Sequence, residues 1–410
     1  MAQAENALAN SRIEYVEEST TGVPPTDPAW QVLTDYLTEL SVEPGGSNEG
    51  VNVVGSGDIK NHFRGPEEPA LTTTYYKQQP FVDSSGNNNY PAAVPLTYTY
   101  GDCYPSYTFE YRRDVNCDGN DDAGFREYVV VQGAKPVEVT DPGDPSSGEP
   151  ILEELTWEPE KARAYVIHQP SSGTTIEVEN TGTNSVDVTI EDEGAGNAET
   201  LTVSAGSTAT TTATFSDIDA IWAESDHDGD ILVTDGNSTT LLEKGLAGTD
   251  TDNVESERGV PPLGSGSHGS AIGTDPEKYQ FLGTSTPDWQ GSALADRIHT
   301  LDMTVTVDVS REGKQGARRQ SVDVGTRTGE VDADVAGPYE SAELIAEQFQ
   351  NEEGDFVYHF PDNDVTLKNA KLMETPEFAR SAGESNYIPS VTFQAAQKTD
   401  SSAVTVTNTT

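Results

Sequence analysis

The segment DVNCDGNDD, Asp114–Asp122, carries the most specific chemistry in the chain. Asp114, Asn116, Asp118, Gly119, Asn120 and Asp122 fill the first nine positions of a calcium loop. In such a loop alternate oxygens converge on one ion and the Gly permits the sharp turn. Position twelve is Phe125, where a bidentate Glu belongs, and Glu127 is the nearest substitute. Two readings stand side by side. One is a structural Ca2+ held by Asp114, Asn116, Asp118, Asn120 and Asp122; the other is a solvated hairpin tip, where Asp, Asn and Gly are abundant for backbone reasons. Asp226, Asp228 and Asp230 form a shorter acidic run with the same two readings and fewer ligands.

Nothing else in the sequence has the spacing of a catalytic or cofactor site. The six histidines, His62, His168, His227, His268, His299 and His359, show no paired spacing. GSGSHG at Gly264–Gly269 matches GxGxxG in letters, but Pro261 and Pro262 precede it and no helical pattern follows, so it reads as a loop. Cys103 and Cys117 flank a strand-like run of residues 106–113, about 25 Å long at the usual rise, so free thiols are expected. Among 70 acidic residues some carboxylate pair always exists, so pairing carries no signal. The expectation is a chain that is not an enzyme, with Ca2+ as the only cofactor to consider.

The basic residues are scarce enough that their one cluster stands out. Arg311, Lys314, Arg318 and Arg319, with Arg327 beyond, lie around a Gly-containing loop between two alternating runs. They are read either as a solvated tip or as a self-assembly contact that docks on the acid of a neighbouring copy. Asn237-Ser238-Thr239 and Asn408-Thr409-Thr410 are glycosylation sequons that the Ser, Thr and Asn content explains by itself.

Charge decides the broad class. The 410 residues carry 70 Asp+Glu against 23 Lys+Arg, a formal net charge of −47, spread from Glu5 to Asp400. Such a chain does not grip nucleic acid through phosphates, although it can surround it. No segment is long and apolar enough for a helical membrane span, and the opening MAQAENALAN reads against Sec export. Acid spread over the whole surface with little Lys is the pattern of a protein from brine, where the Debye length falls below ~3 Å and self-repulsion is screened.

The elements that must position these residues are mostly strands. Leu301, Met303, Val305, Val307 and Val309 alternate with polar residues, and Val322 and Val324 follow, which predicts a hairpin with a long tip. Further strands are expected at 51–62, 70–79, 106–113, 125–132, 136–140, 151–157 and 161–168. The Thr, Tyr and Val content of 28–40 favours strands there too. One helix is expected, with Ala342, Ile345, Ala346 and Phe349 on one stripe, Pro338 before it and Gly354 after. Residues 174–235 alternate with a turn every 8–12 residues, the pattern of a small Ig-like β-sandwich inserted as a decoration that faces solvent on both sides. The expected organisation is a core domain in two parts, 1–168 and 293–410, with the insert at 169–240 and a long loop at 241–292.

Several segments, taken in order, resemble the major tail tube proteins of long-tailed, siphovirus-like viruses. IEYVEESTTGVPPTDPAWQVL (Ile13–Leu33) is similar to the family's extended opening. FRGPEEPALTTTYY (Phe63–Tyr76) and CYPSYTFEYRR (Cys103–Arg113) are similar to the strands that follow. REYVVVQGAKPVEVT (Arg126–Thr140) and SAELIAEQFQ (Ser341–Gln350) resemble its next segment and its late helix. With the acidic composition, the host implied is a halophilic archaeon.

The resemblance implies a mainly β fold, a tail-tube sandwich or barrel with one flanking helix, to which the Ig-like insert is added. It implies a virion protein, assembled in the host cytoplasm into stacked, hexameric rings whose acidic lumen conducts double-stranded DNA at ejection. The implied partners are other copies, a tape-measure protein, a tail terminator and baseplate proteins, with no membrane. The alternative is a halophilic surface-layer or adhesin module with calcium sites. Either way, the charge predicts that Tm rises with NaCl; a Tm that is flat or falling in a scanning-calorimetry series would contradict it.

Overall fold

β-branched and aromatic residues alternating with polar ones dictate strands over most of the chain. The computed structural model describes residues 11–22, 29–32, 37–43, 45, 48–52, 59–64, 68–77, 80–114, 125–143, 151–170, 173–192, 197–216, 218–223, 229–236, 239–242, 287–294, 298–313, 320–335, 352–360, 362–373, 390–397 and 402–409. The first part holds β1 (Ser11–Glu17), β2 (Gln31–Val32), β3 (Leu37–Glu43), β4 (Asn48–Asn52), β5 (Ile59–Arg64), β6 (Ala70–Tyr76), the short α1 (Ala93–Thr97), β7 (Tyr107–Asp114), β8 (Phe125–Gly143), β9 (Leu152–Glu158) and β10 (Lys161–His168). Then come β11 (Ile176–Asn180), β12 (Val186–Asp192), β13 (Ala198–Val203), β14 (Ser207–Thr210), β15 (Ile218–Ala223) and β16 (Ile231–Asp235). The last part holds β17 (Asp288–Trp289), β18 (Ser292–Ala293), β19 (Ile298–Gly313), β20 (Gln320–Val335), β21 (Gly354–His359), β22 (Asn363–Leu372), β23 (Ser390–Gln394) and β24 (Val404–Asn408). The fold is thus mainly β, with every paired strand antiparallel.

Strand β8 organises the whole. Its first half lies between β7 and β10, with Tyr111 and Ala162 flanking Val129 and Val131 in the two ladders. Its second half lies between β9 and β19, with Leu155 and Val305 both opposite Val139. Residues 125–132 and 136–140, expected as separate strands, are therefore one 19-residue strand. The separating letters Gly133 and Pro136 bend the strand rather than end it.

The bend is chemically specific. Gly133 adopts φ +64°, a region costly to any residue with a Cβ. An added Cβ would also meet the Glu160 side chain at 2.8–3.1 Å. The Gly133 N–H donates to Glu18 at 2.9 Å, and Glu160 N–H donates to the Gln132 carbonyl at 3.0 Å. Buried Glu18 also accepts from Ser106 at 2.7 Å, Thr108 at 2.6 Å and Gly22 N–H at 2.7 Å. A buried carboxylate with that many donors is compensated without a cation.

From β8 the sheet continues as β3-β6-β9-β8-β19-β20-β23 and turns through β22 into β21, β17, β18 and β24. It wraps one core that includes Tyr15, Leu71, Phe109, Trp157, Met303, Val331, Phe356, Leu367 and Phe393. The expected hairpin is β19–β20, with Leu301, Met303, Val305 and Val307 buried and a register shift between Val307 and Val309. The 51–62 run is two strands instead of one, β4 and β5, with Val51 opposite Asn61. Gly55, Ser56, Gly57 and Asp58 between them are turn-forming residues. Strand β2 and the first part of β3 fall in the 28–40 region. The helix expected near 338–354 lies outside the described residues.

Residues 176–235 form two three-stranded sheets, β14-β11-β16 and β13-β12-β15, closing on Val178, Val188, Ile190, Phe215 and Ile221. This apolar cluster does not stop at the insert. It runs through Leu241 and Leu242 to Val16, Trp30, Tyr128, Val130 and Ile167, and His168 N–H donates to the Leu241 carbonyl at 2.6 Å. The insert is packed on the back of β1, β8 and β10, so the expectation of a sandwich facing solvent on both sides gives way to one anchored by shared core.

A half-exposed clasp holds the far end of the sheet. His359 Nδ1 lies 2.7 Å from Asp364 and Nε2 lies 3.3 Å from Asp288. Burial disfavours the imidazolium, but the hydrogen bonds to Asp364 and Asp288 outweigh it and raise the His359 pKa. A raised folded-state pKa gives stability that is present below about pH 6.5 and lost as pH climbs through the folded value. His359→Gln is expected to remove that component from a Tm-versus-pH curve; an unchanged curve would contradict the clasp. Gly133→Ala should cost at least about 1–2 kcal/mol in urea unfolding from the positive φ alone; a neutral result would show that the corner does not need Gly.

Candidate functional site

Alternation gives the β3–β23 part of the sheet two unlike faces. One face is the core. On the other, the registers line up rows of polar side chains. The first row runs Glu39, Thr74, Glu154, Thr140, Thr304, Glu330 and Gln394 across β3, β6, β9, β8, β19, β20 and β23. The second runs Ser41, Thr72, Thr156, Glu138, Thr306 and Thr328. Beside them Asp302, Asp332 and Thr392 stand opposite one another. Asp308, Ser310 and Glu312 extend the exposed side of β19.

The side chains on this face hold each other flat. Thr306 donates to Glu138 at 2.8 Å, Thr140 and Thr304 hydroxyls lie 3.3 Å apart, and Thr326 donates to Asp308 at 2.6 Å. Gln394 donates to Glu330, and Thr392 donates to Asp332. The described rows contain no Lys or Arg. Lys371, in register beyond Gln394, is paired with Glu353 at 2.5 Å. Short β-branched hydroxyls and carboxylates therefore make a smooth, negative surface. Asp302 directly opposite Asp332 is a like-charge pair that screening must relieve.

Arg311 and Arg327 of the hairpin point the other way. Arg311 donates to the Pro159 carbonyl at 3.0 Å and the Pro69 carbonyl at 2.8 Å, and it pairs with Glu158. Arg327 donates to the Pro95 and Leu96 carbonyls at the end of α1 and to the Val404 carbonyl at 2.8 Å. Burial pulls its pKa down to about 10, against the opposing influence of Tyr104 and Tyr98. Arg311 thus has partners inside its own chain, whereas Lys314, Arg318 and Arg319 lie outside the described residues.

The calcium motif falls mostly outside the description as well. Asp114 closes β7, while Asn116, Asp118, Asn120 and Asp122 are not among the described residues. Asp226, Asp228, Cys117, Asn237 and GSGSHG share that position, and Cys103 is exposed with a free thiol. Asn408 Nδ2 donates to the Val82 carbonyl at 3.0 Å, so that sequon asparagine is tied into the fold. Among the described residues no group of His, Cys, Asp or Glu is arranged to hold a metal ion.

No protein-family profile matches the chain, and no curated protein matches it closely enough to identify a relative.

The polar face sets an expectation for charge removal. A Glu138→Gln, Glu154→Gln, Glu330→Gln variant keeps the hydrogen-bonding shapes and should raise Tm at low salt while flattening its rise with NaCl. In molar salt the change per site should stay within about 0.5 kcal/mol. An unchanged salt slope in scanning calorimetry would show that this face does not carry the repulsion.

Proposed function

We propose that the chain is a major tail tube subunit of a siphovirus-like virus of a halophilic archaeon, and that the Thr and acid rows line the tube bore. The observation that carries the reading is the wide antiparallel face on which Glu154, Thr140, Thr304 and Glu330 stand in one register with no cation among them. A bore must pass DNA without holding it. Carboxylates repel phosphates, and short Thr side chains leave nothing to snag on a strand of passing duplex. The order of tail-tube-like segments along the chain supports the same reading.

In this reading the protein is structural and not an enzyme. Six copies close a ring, rings stack, and the outer strands pair between copies so that no sheet edge stays open. In the ring the packed insert stands on the outside, held on the first half of β8 while the acidic rows lie on the second. DNA is a transient passenger, and the tape-measure, terminator and baseplate proteins are the tail partners.

Electron micrographs of the purified protein in molar NaCl are expected to show rings or tubes. Dispersed monomers at every salt concentration and protein concentration would contradict the proposal and favour a surface-layer or adhesin module.

A further inference from the structure

Behind the acidic face the core encloses a second, wholly different polar group. Lys77 follows β6, and its N–H donates to the Ile151 carbonyl at 2.9 Å. Its Nζ lies 2.9 Å from Glu153 Oε2 on β9. Tyr75 and Tyr90 hydroxyls also donate to Glu153, the latter at 2.9 Å, and Lys77 Nζ donates to the Tyr90 hydroxyl. The Phe81 ring centroid is 3.0 Å from Nζ, with Tyr90 and Phe360 at 5.2 Å. Lys77 is 1% exposed, and Glu153 and Asp141 are 0% exposed.

Asp141 is the anomaly. Thr140 faces Glu154 across β8 and β9, so the next positions, Asp141 and Glu153, lie beside each other on the core side. Yet both Asp141 oxygens lack a hydrogen-bond partner. Burial holds its carboxyl well above the usual carboxylate range; Lys77 opposes this and Glu153 reinforces it. A carboxyl whose charged form burial disfavours therefore stands beside an amine and a second carboxyl, in a box walled by Phe81, Tyr90 and Phe360. A buried ion pair is a poor source of stability by itself, and an unpartnered acid costs more.

We propose that Lys77 and Glu153 become joined by an intramolecular isopeptide bond, with Asp141 as the proton donor and acceptor of the reaction. Nζ passes a proton to the carboxyl pair and attacks Glu153 Cδ. The Tyr75 and Tyr90 hydroxyls hold the oxygens of the tetrahedral intermediate. Asp141 protonates the leaving oxygen and recovers its proton from the nitrogen. The Nζ–Cδ bond forms, one Cδ–O bond breaks, and one water leaves carrying two protons from the ammonium. No oxidant, metal or co-reactant is needed. Proximity at contact distance and exclusion of water favour condensation over hydrolysis. The product removes both buried charges and covalently ties the end of β6 to β9.

The test is the intact mass of the folded full-length chain after denaturation, followed by digestion and fragmentation. The expected result is a mass one water below the sequence mass, with the Lys77 and Glu153 peptides joined. A full sequence mass, or a water loss that leaves those peptides separate, would overturn the proposal. A bond mapped to Asp141 in place of Glu153 would overturn the assigned acyl group. Lys77→Arg should restore the full mass. Asp141→Asn should slow bond formation after refolding by about a hundredfold; an unchanged rate would remove Asp141 from the chemistry.

Discussion

One strand serving two different pairs of neighbours is the constraint on which the architecture rests. β8 pairs with β7 and β10 on its first half and with β9 and β19 on its second. The exchange happens at Gly133, where a positive φ, the Glu160 side chain and the Glu18 carboxylate meet. Without that corner, β9 and β10 would have to follow one straight edge. The insert, which packs on the first half, would then lose its fixed relation to the acidic face, which lies on the second.

The division of charge follows from the same sheet. Period-2 alternation places Val139, Leu155, Met303 and Val331 inward and leaves Glu138, Glu154, Thr304 and Glu330 outward. Among the described residues Arg311, Arg327 and Lys77 are spent on internal carbonyls and carboxylates. The described rows of the β3–β23 face are left negative, so the same residues that make the face a candidate bore are expected to make the fold depend on salt. Stability and proposed function thus draw on one electrostatic arrangement.

Much of this was legible from residue types. The run Leu301, Met303, Val305, Val307 announced a half-buried strand, and its interleaved Asp302, Thr304, Thr306 and Asp308 already spelled the outer face. What a single run does not disclose is which other runs stand beside it. Thr140, Glu154 and Thr74 join Thr304 only through long-range register, which local alternation does not encode. Gly133 and Pro136 looked like strand ends because those residues usually are, and tertiary pairing overrode that preference. Trp30 and Val16 gave no local sign that they would extend the core of residues 176–235. The Lys77, Glu153 and Asp141 group was equally hidden, since Lys77, just after β6, is brought to Asp141 on β8 and Glu153 on β9 only by long-range pairing.

In the proposed assembly the Glu39–Gln394 row faces an enclosed bore. A cryo-electron-microscopy reconstruction of the assembled protein at side-chain resolution tests it directly. Glu154, Thr140, Thr304 and Glu330 are expected on the inner wall, with residues 176–235 outside. An assembly in which that row faces outward, or is buried between subunits, would contradict it.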